Sequence, residues 1–317
     1  MKTRIALQAE VTDELSGRRL DQAAAQLFPE FSRARLQAWI KAGSLRVNGA
    51  SKRNRDKVFI TDLLSIDAEL SAEDEWSAEP MALDIVFEDE SVLVINKQAG
   101  AVVHPAAGHR EGTLLNGLLH YCPQLELVPR AGIVHRLDKD TTGLMVVAKT
   151  LQAHTSLVKQ LQARTVIREY EAVVIGVLTA GGTIDQPLGR HPINRKKQAV
   201  VDDGKEAITH YTVIKRFRAH THIRVKLETG RTHQIRVHFA HLQYPLVGDR
   251  VYGGRLRIPS SCSLELEQAL RGFGRQALHA RRLGLLHPDD QQPMSWETAL
   301  PADMESLLVA LEQDSRR

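Results

Sequence analysis

Residues 129–149 read PRAGIVHRLDKDTTGLMVVAK. Two apolar pieces, Ile133-Val134 and Leu144 to Ala148, enclose His135-Arg136-Leu137-Asp138 and Lys139-Asp140-Thr141-Thr142-Gly143. Turns between strands are normally built from Gly, Asn, Asp or Ser. This one carries an imidazole, a guanidinium and a carboxylate between flanks stiff enough to aim them. The reading is a charged turn between two buried strands, with Asp138 as the catalytic residue.

On either side of that stretch the pattern continues in the same style. Residues 84–97 read as strand, turn at Asp89 to Ser91, and strand, ending on Asn96-Lys97. A glycine-rich loop to Gly112 and a short helix over 113–121 lead into the quoted stretch. Downstream, a helix is predicted over 150–164 and a strand carrying Tyr170 over 167–177. A basic loop, GRHPINRKKQAVVDDGK, spans 189–205, and two strands follow at 207–217 and 221–228. ETGRTHQIRVHFAHLQYPLVGD then reads as a turn, a helix of about 11 residues by its apolar spacing, and an exit loop. A helix near 263–271 and strands over 277–286 and 295–298 close the chain. Strands outnumber helices and do not alternate with them, which predicts an α+β fold with a mixed, mostly antiparallel sheet.

The first part of the chain is built differently. A strand over 3–11 precedes a helix opened by Gly17-Arg18-Arg19-Leu20-Asp21 and stopped at Pro29. Ser32 is placed as N-cap of a second helix, 33–42, whose Leu36, Trp39 and Ile40 share a face. Gly43 ends it, a strand 45–47 runs into an Asn48-Gly49 turn, and a last strand is expected over 58–66. Charge divides the chain in the same places: residues 1–57 hold 12 Lys and Arg against 6 Asp and Glu, residues 58–90 none against 11, and residues 91–317 30 against 21. The division is a small α+β domain, 1–75, an acidic linker, 76–82, and a large domain, 83–317. Two basic modules suit a polyanion, most simply nucleic acid; charge alone fits solvated faces joined by an acidic linker equally well. Two cysteines, Cys122 and Cys262, make neither a disulfide framework nor a zinc site. With no apolar run of about 18 residues and no leader-like start, a reduced cytoplasmic protein is expected.

GRRLDQAAAQLFPEFSRARLQAWIKAGSLRVNGASKRNRDKV, residues 17–58, resembles the small RNA-binding domain first known from a ribosomal small-subunit protein. The resemblance implies that Arg33, Arg35, Lys41, Lys52, Arg53 and Arg55 touch phosphates, giving salt-dependent affinity without sequence choice. Thr61 stands where that family often has Gly, so a locally altered turn is expected there.

The remaining motifs are similar to those of pseudouridine synthases of the RluA type. HRLDKDTTG (135–143), NKQAGAVVHP (96–105), REYEA (168–172), GRTHQIRVHFAHLQYPLVGD (230–249) and QALHA (276–280) occur in the family's order. Gln98 replaces the family's proline, which should loosen that turn. The resemblance implies a pseudouridine synthase fold and isomerisation of uridine in a stem-loop of large-subunit ribosomal RNA. It implies Asp138 as the essential carboxylate, Arg231 as its partner and Tyr170 as a ring stacked on uracil. Arg136 would enter the RNA in place of the flipped base. Lys97 and, in the basic loop, Arg195, Lys196 and Lys197 are expected on RNA. The reaction gains and loses no atoms, so no cofactor is expected. The carboxylate can attack the anomeric carbon or remove the 2′ proton, and the sequence leaves both open.

Three rivals were weighed. His233, His238 and His241 invite a metal site, but 233 and 238 are five apart and no Cys or carboxylate pattern completes a ligand set, so no metal is expected. A non-catalytic RNA-binding or assembly factor would tolerate loss of Asp138, which is present. A nuclease or glycosidase needs a second carboxylate at matched spacing, and Asp140 suits turn capping better. A monomer is expected.

Overall fold

The computed structural model describes residues 4–29, 31, 33–69, 76–105 and 111–317. The N-cap expected at Ser32 and most of the glycine-rich loop before Gly112 lie outside them. The first unit comprises β1 (Arg4–Glu10), α1 (Leu20–Leu27), α2 (Arg33–Ala42), β2 (Leu45–Val47) and β3 (Leu63–Glu69), with an antiparallel sheet in the order β1-β3-β2. Leu36, Trp39 and Ile40 of α2 are buried against Leu20, Ala23 and Ala24 of α1. Asn48 and Gly49 both take positive φ, 49° and 78°, as a two-residue turn following the strand twist requires.

β3 starts five residues later than the sequence reading placed it, because Phe59 to Asp62 form a turn. The Asp62 amide donates to Phe59 O at 3.0 Å, and the Asp62 carboxylate accepts from the Phe59 amide at 2.8 Å. Thr61 sits in that turn at φ 69°, the left-handed backbone that glycine adopts freely. The turn therefore keeps a glycine-like path, and the β-branched Thr61 carries the strain.

The second unit is built on a nine-stranded sheet. In chain order its elements are β4 (Ile85–Glu88), β5 (Val92–Lys97), α3 (Leu114–Tyr121), β6 (Thr142–Ala148), α4 (Leu151–Gln162), β7 (Ile167–Ile175) and β8 (Gly182–Asp185). There follow β9 (Leu188–Arg190), β10 (Gln198–Val200), β11 (Ile208–Arg216), β12 (His220–Leu227), α5 (Gln234–His241), α6 (Leu264–Gly272), β13 (Leu278–Leu286), β14 (Pro293–Glu297) and α7 (Ala302–Ser315). The sheet order is β4-β5-β6-β13-β7-β12-β11-β8, with β14 also on β13. Only β6 and β13 pair in parallel; every other pairing in this sheet is antiparallel. The fold is α+β with a mixed, mostly antiparallel sheet. β9 and β10 form a separate two-stranded ribbon, which the sequence reading left as the basic loop.

Both faces of the large sheet are covered, which is why β6 is buried at all seven positions and reads as an unbroken apolar run. Alternate residues serve opposite cores. Leu93, Ile95, Met145, Val147, Tyr170 and Ala172 meet α3 and α5 on one face. Val92, Val94, Leu144 and Val146 meet Ala153 and Leu157 of α4 on the other. Gly143 pairs with Ala280 across the parallel step, at φ 113°. A Cβ there would run into the Ala280 carbonyl, so this position has no room for a side chain. α5 has eight residues rather than eleven, and α7, which the sequence reading did not place, covers the end of the sheet with Met304, Leu307 and Leu311.

The segment read as an acidic linker is docked where it is described. Asn116 of α3 donates to Ser77 O at 2.7 Å, the Glu79 amide donates to Asn116 O at 3.0 Å, and Glu79 accepts from the Gly112 amide at 2.9 Å. Met81 packs on Gly117. No helix among the described residues is long and apolar enough to cross a membrane.

Thr61→Gly should relieve the left-handed strain and raise the unfolding free energy of the first unit by about 0.5–1 kcal/mol, after the entropy cost of glycine. Urea unfolding followed at Trp39 measures it; a loss of stability would show that the threonine is not strained.

Candidate active site

Three segments converge on one face of the sheet. The turn 133–141 feeds β6, β7 crosses the middle of the sheet, and residues 228–233 link β12 to α5. Between them lies a cleft of about 870 Å³ whose lining includes Arg136, Asp138, Arg168, Tyr170, Arg231 and Arg236. The residues singled out in the sequence as Asp138, Tyr170, Arg231 and Arg136 thus share one cavity.

Asp138 is part-buried, and its partner is not Arg231. The Arg236 Nη1 donates to Asp138 Oδ2 at 2.9 Å. Arg231 instead donates through Nε to Glu206 O at 2.9 Å. The physical reason is where α5 begins. His233 takes φ 57°, so the chain turns sharply after Arg231, and Arg236 is the arginine on the helix that faces Asp138. Arg236 also grips Asp249 with two parallel bonds, Nε to Oδ2 at 2.7 Å and Nη2 to Oδ1 at 2.9 Å. Burial opposes the Arg236 charge, but the two carboxylates, Asp249 first, outweigh it and hold the guanidinium above its usual pKa. Burial likewise pushes Asp249 up, and Arg236 with the Val251 and Tyr252 amides brings it below the usual carboxylate range. The Arg236 guanidinium lies 5.0 Å from the centre of the Tyr252 ring, within cation–π range. His233 completes the surround, with Nε2 3.8 Å from Asp138 Oδ1.

Tyr170 is 6% exposed and stands between Val225 of β12 and Ala280 of β13. Burial raises its pKa, with Asp138 adding and Arg168 opposing. A phenol so placed keeps its proton near neutral pH and presents a flat ring to the cleft. Arg168, two residues earlier on the same strand, was not singled out in the sequence as a site residue. Its Nη2 donates to Glu228 O at 3.0 Å, and among the described residues no carboxylate pairs with it. A Cβ on Gly230 would stand 2.7 Å from its Nη1, so the glycine makes room for the guanidinium. Position 168 shares the cleft-facing side of β7 with Tyr170 by the period of two, a signal available in REYEA.

Lys97, expected on RNA, is instead buried and bonded within the chain. It is 3% exposed, and its ammonium donates to the carbonyls of Gln98, Ala101 and Lys139 at 2.8, 3.0 and 2.8 Å. Burial lowers its pKa to about 8, with Asp140 and Asp138 pulling the other way. It ties the Asn96-Lys97 loop to the turn bearing Asp138. The Gly100 amide adds a bond to the same Lys139 carbonyl at 3.0 Å, so the turn at Gln98 is fastened rather than loosened by its missing proline. His135 anchors the other side of the turn by accepting the Val146 amide on Nε2 at 3.0 Å, and burial, with Arg168 adding, lowers its pKa to about 3. Between these anchors Arg136 is exposed at the cleft.

The other basic residues expected on RNA divide by what already holds them. Lys41, Lys52, Arg53, Arg55, Arg195 and Lys196 are exposed. Arg35 is half-buried. Arg33 is engaged, with Nη2 2.7 Å from the fully buried carboxylate of Asp21, which also binds Arg19 at 3.0 Å. Lys197 donates to Val251 O at 2.7 Å. Of the histidines that suggested a metal, His238 has its two nitrogens at Thr209 Oγ1 and Gln186 O, 2.9 and 3.0 Å away.

The sequence profile of the family described as RNA pseudouridylate synthase matches residues 91–241. The chain is 64% identical over 314 residues to a Pseudomonas aeruginosa protein named ribosomal large subunit pseudouridine synthase D, covering 99% of this chain and 98% of that protein. It is 53% identical over 316 residues to a Yersinia pestis protein of the same name, covering 99% and 97%. Among solved structures, human RNA pseudouridylate synthase domain containing 1 is 26% identical with a TM-score of 0.55, covering 73% of this chain and 90% of that one. Human RNA pseudouridylate synthase domain containing 4, 24% identical, shares the fold with a TM-score of 0.57 over 72% and 93%.

Arg236→Met leaves two carboxylates without their counter-charge, one of them buried, and should destabilise the protein by about 3–5 kcal/mol. Arg231→Ala, which loses one exposed bond, should cost less than about 1 kcal/mol. Urea denaturation of both variants gives the comparison, and equal losses would contradict the pairing.

Proposed function

The chain belongs to the RNA pseudouridylate synthase family and is an isomerase, and from this footing we infer that it converts uridines in a stem-loop of large-subunit ribosomal RNA, with Asp138 as its essential carboxylate. The observation that carries the residue assignment is the Asp138–Arg236 ion pair in a cleft walled by Tyr170. The names of the curated relatives support the ribosomal substrate. Residues 1–75 act as a small RNA-gripping domain and residues 83–317 as the catalytic one. The enzyme works as a monomer in the cytoplasm during ribosome assembly and needs no cofactor.

The chemistry breaks the C1′–N1 bond, turns the base and joins C1′ to C5; C5 gives up its proton and N1 takes one up, so the atoms balance. A base inside a stack cannot reach Asp138, so the nucleotide is flipped into the cleft. Tyr170 stacks against the uracil, and its raised pKa fits a wall better than a base. Asp138 acts at the sugar, either by attack on C1′ or by taking the 2′ proton. Arg236, fixed from behind by Asp249, holds one carboxylate oxygen so that the other is left for the sugar. Arg136 fills the gap the base leaves, an assignment supported by its exposed place at the cleft two residues from Asp138. Lys41, Lys52, Arg53, Arg55, Arg195 and Lys196 contact phosphates, and Arg35 joins them.

Asp138→Asn should lower pseudouridine formation on ribosomal RNA by about 10⁴-fold with RNA affinity retained. Tritium release from RNA labelled at uracil C5, read beside a filter-binding assay, measures both, and retained turnover would end the assignment. Arg136→Ala should reduce turnover far more than Lys52→Ala, whose effect is on affinity and lowers the salt slope by about 0.7–0.9. Equal turnover losses would remove the wedge role.

A further inference from the structure

Asp138 presents one oxygen to Arg236; the other, Oδ1, faces His233 Nε2 across 3.8 Å. That gap is too long for a hydrogen bond. It is the right size for a third atom lying off the line between them, about 2.8 Å from each. The protonation of His233 follows from its other neighbours. The Gln198 amide donates to Tyr252 Oη at 3.0 Å. Tyr252 Oη lies 2.6 Å from His233 Nδ1. The tyrosine oxygen already accepts from an amide, and no other acceptor for its proton is found among the described residues, so the hydroxyl hydrogen is assigned to Nδ1. The imidazole then carries its own hydrogen on Nε2, the nitrogen that borders the gap. Burial keeps His233 below its usual pKa, in keeping with a neutral ring that has a single hydrogen to place.

An atom in the gap must accept from Nε2–H and donate to a carboxylate oxygen. Uracil offers carbonyls that only accept and an N3–H that only donates. A hydroxyl does both. In an RNA chain the 3′ oxygen is esterified, so the hydroxyl next to the reacting C1′ is the 2′-hydroxyl. We propose that His233 and Asp138 together clamp the ribose 2′-hydroxyl of the flipped uridine, with Tyr252 as the positioning residue that fixes the His233 tautomer. The proposal deepens the uridine-isomerase reading and rests on it. It accounts for two further features. His233 holds the left-handed φ of 57° at the start of α5, a strained place for an L-residue, and this turns its ring toward Asp138. Tyr252 reaches both neighbours of the carboxylate, with its hydroxyl on His233 and its ring beside Arg236. The clamp makes the site read ribose, so RNA is told from DNA at the reacting nucleotide itself.

The test crosses two changes. The ribosomal RNA stem-loop in which pseudouridine mapping places a modified uridine is synthesised with uridine or 2′-deoxyuridine at that position. Each is given to the full-length wild type, His233→Ala, His233→Gln and Tyr252→Phe. Wild type should lose about tenfold or more in kcat on the deoxy substrate, the scale of one hydrogen bond to a charged group. His233→Ala should lose a similar factor on the ribose substrate and little more on the deoxy one. His233→Gln, whose amide N–H can reach the same point, should recover part of the loss. Tyr252→Phe should fall between, with KM little changed. Independent losses that multiply, or a wild type indifferent to the 2′-hydroxyl, would overturn the clamp. Nitrogen NMR of His233 should show the Nε2–H tautomer in wild type and a mixture in Tyr252→Phe; an Nδ1–H tautomer in wild type would overturn the role of Tyr252. A wild type that modifies neither RNA sinks the uridine reading and the clamp with it, while the NMR result still decides the tyrosine.

Discussion

One guanidinium organises the centre of this protein. Arg236 holds Asp249 with two bonds and Asp138 with a third. A charge this enclosed persists only where its partners are also enclosed and fully bonded. Asp249 meets that condition, since it accepts the Val251 and Tyr252 amides as well. The helix that carries Arg236, the turn that carries Asp249 and the turn that carries Asp138 are thus fixed relative to one another by a single planar group. Two carboxylates against one arginine leave a net negative charge. Lys97 and Arg168, bound to carbonyls rather than to carboxylates, supply positive charge around it.

Much of this was legible beforehand because it depends on short-range patterns. The HRLD turn, the apolar run after it, the REYEA strand and the Asn48-Gly49 turn are local, and the structure places each where its pattern implied. Arg231 and Arg236 show where that stops. Both occur in GRTHQIR, and choosing between them requires knowing that the backbone turns left-handed at His233 and that the helix starts one residue later. Nothing local in the sequence announces a left-handed histidine. Lys97 is a related case: a lysine in a loop looks solvated in the sequence, and only the fold brings three carbonyls from two loops around it. α7 is a different case. Met304, Leu307 and Leu311 repeat at helical spacing, so its signal was present and went unread.

The cations also sort in a way that charge counting does not anticipate. Arg19, Arg33, Lys97, Lys197 and Arg236 hold the fold, each against an acceptor within the chain. Lys52, Arg53, Arg55, Arg136, Arg195 and Lys196 are on the surface. The basic balance of the sequence is therefore a sum of two populations, and the first has its charge already engaged within the chain. Among the cations expected on RNA, the second population comprises Lys41, the 51–57 loop, Arg195 and Lys196, and Arg136 at the mouth of the cleft.

The order of strands in the large sheet carries a consequence for the making of the protein. β6 and β7 are near neighbours in the chain, yet β13, more than a hundred residues later, lies between them. Arg275, just before β13, reaches back to the carbonyl of Asp140 in the catalytic turn and across to Asp303 of α7. Until that late strand arrives, the turn bearing Asp138 and the strand bearing Tyr170 belong to two pieces of sheet that no other strand joins. A chain emerging from the ribosome therefore holds most of its catalytic residues long before it holds a catalytic site, because contacts so distant in sequence close last. A site assembled in this order is completed only when nearly the whole chain has been made.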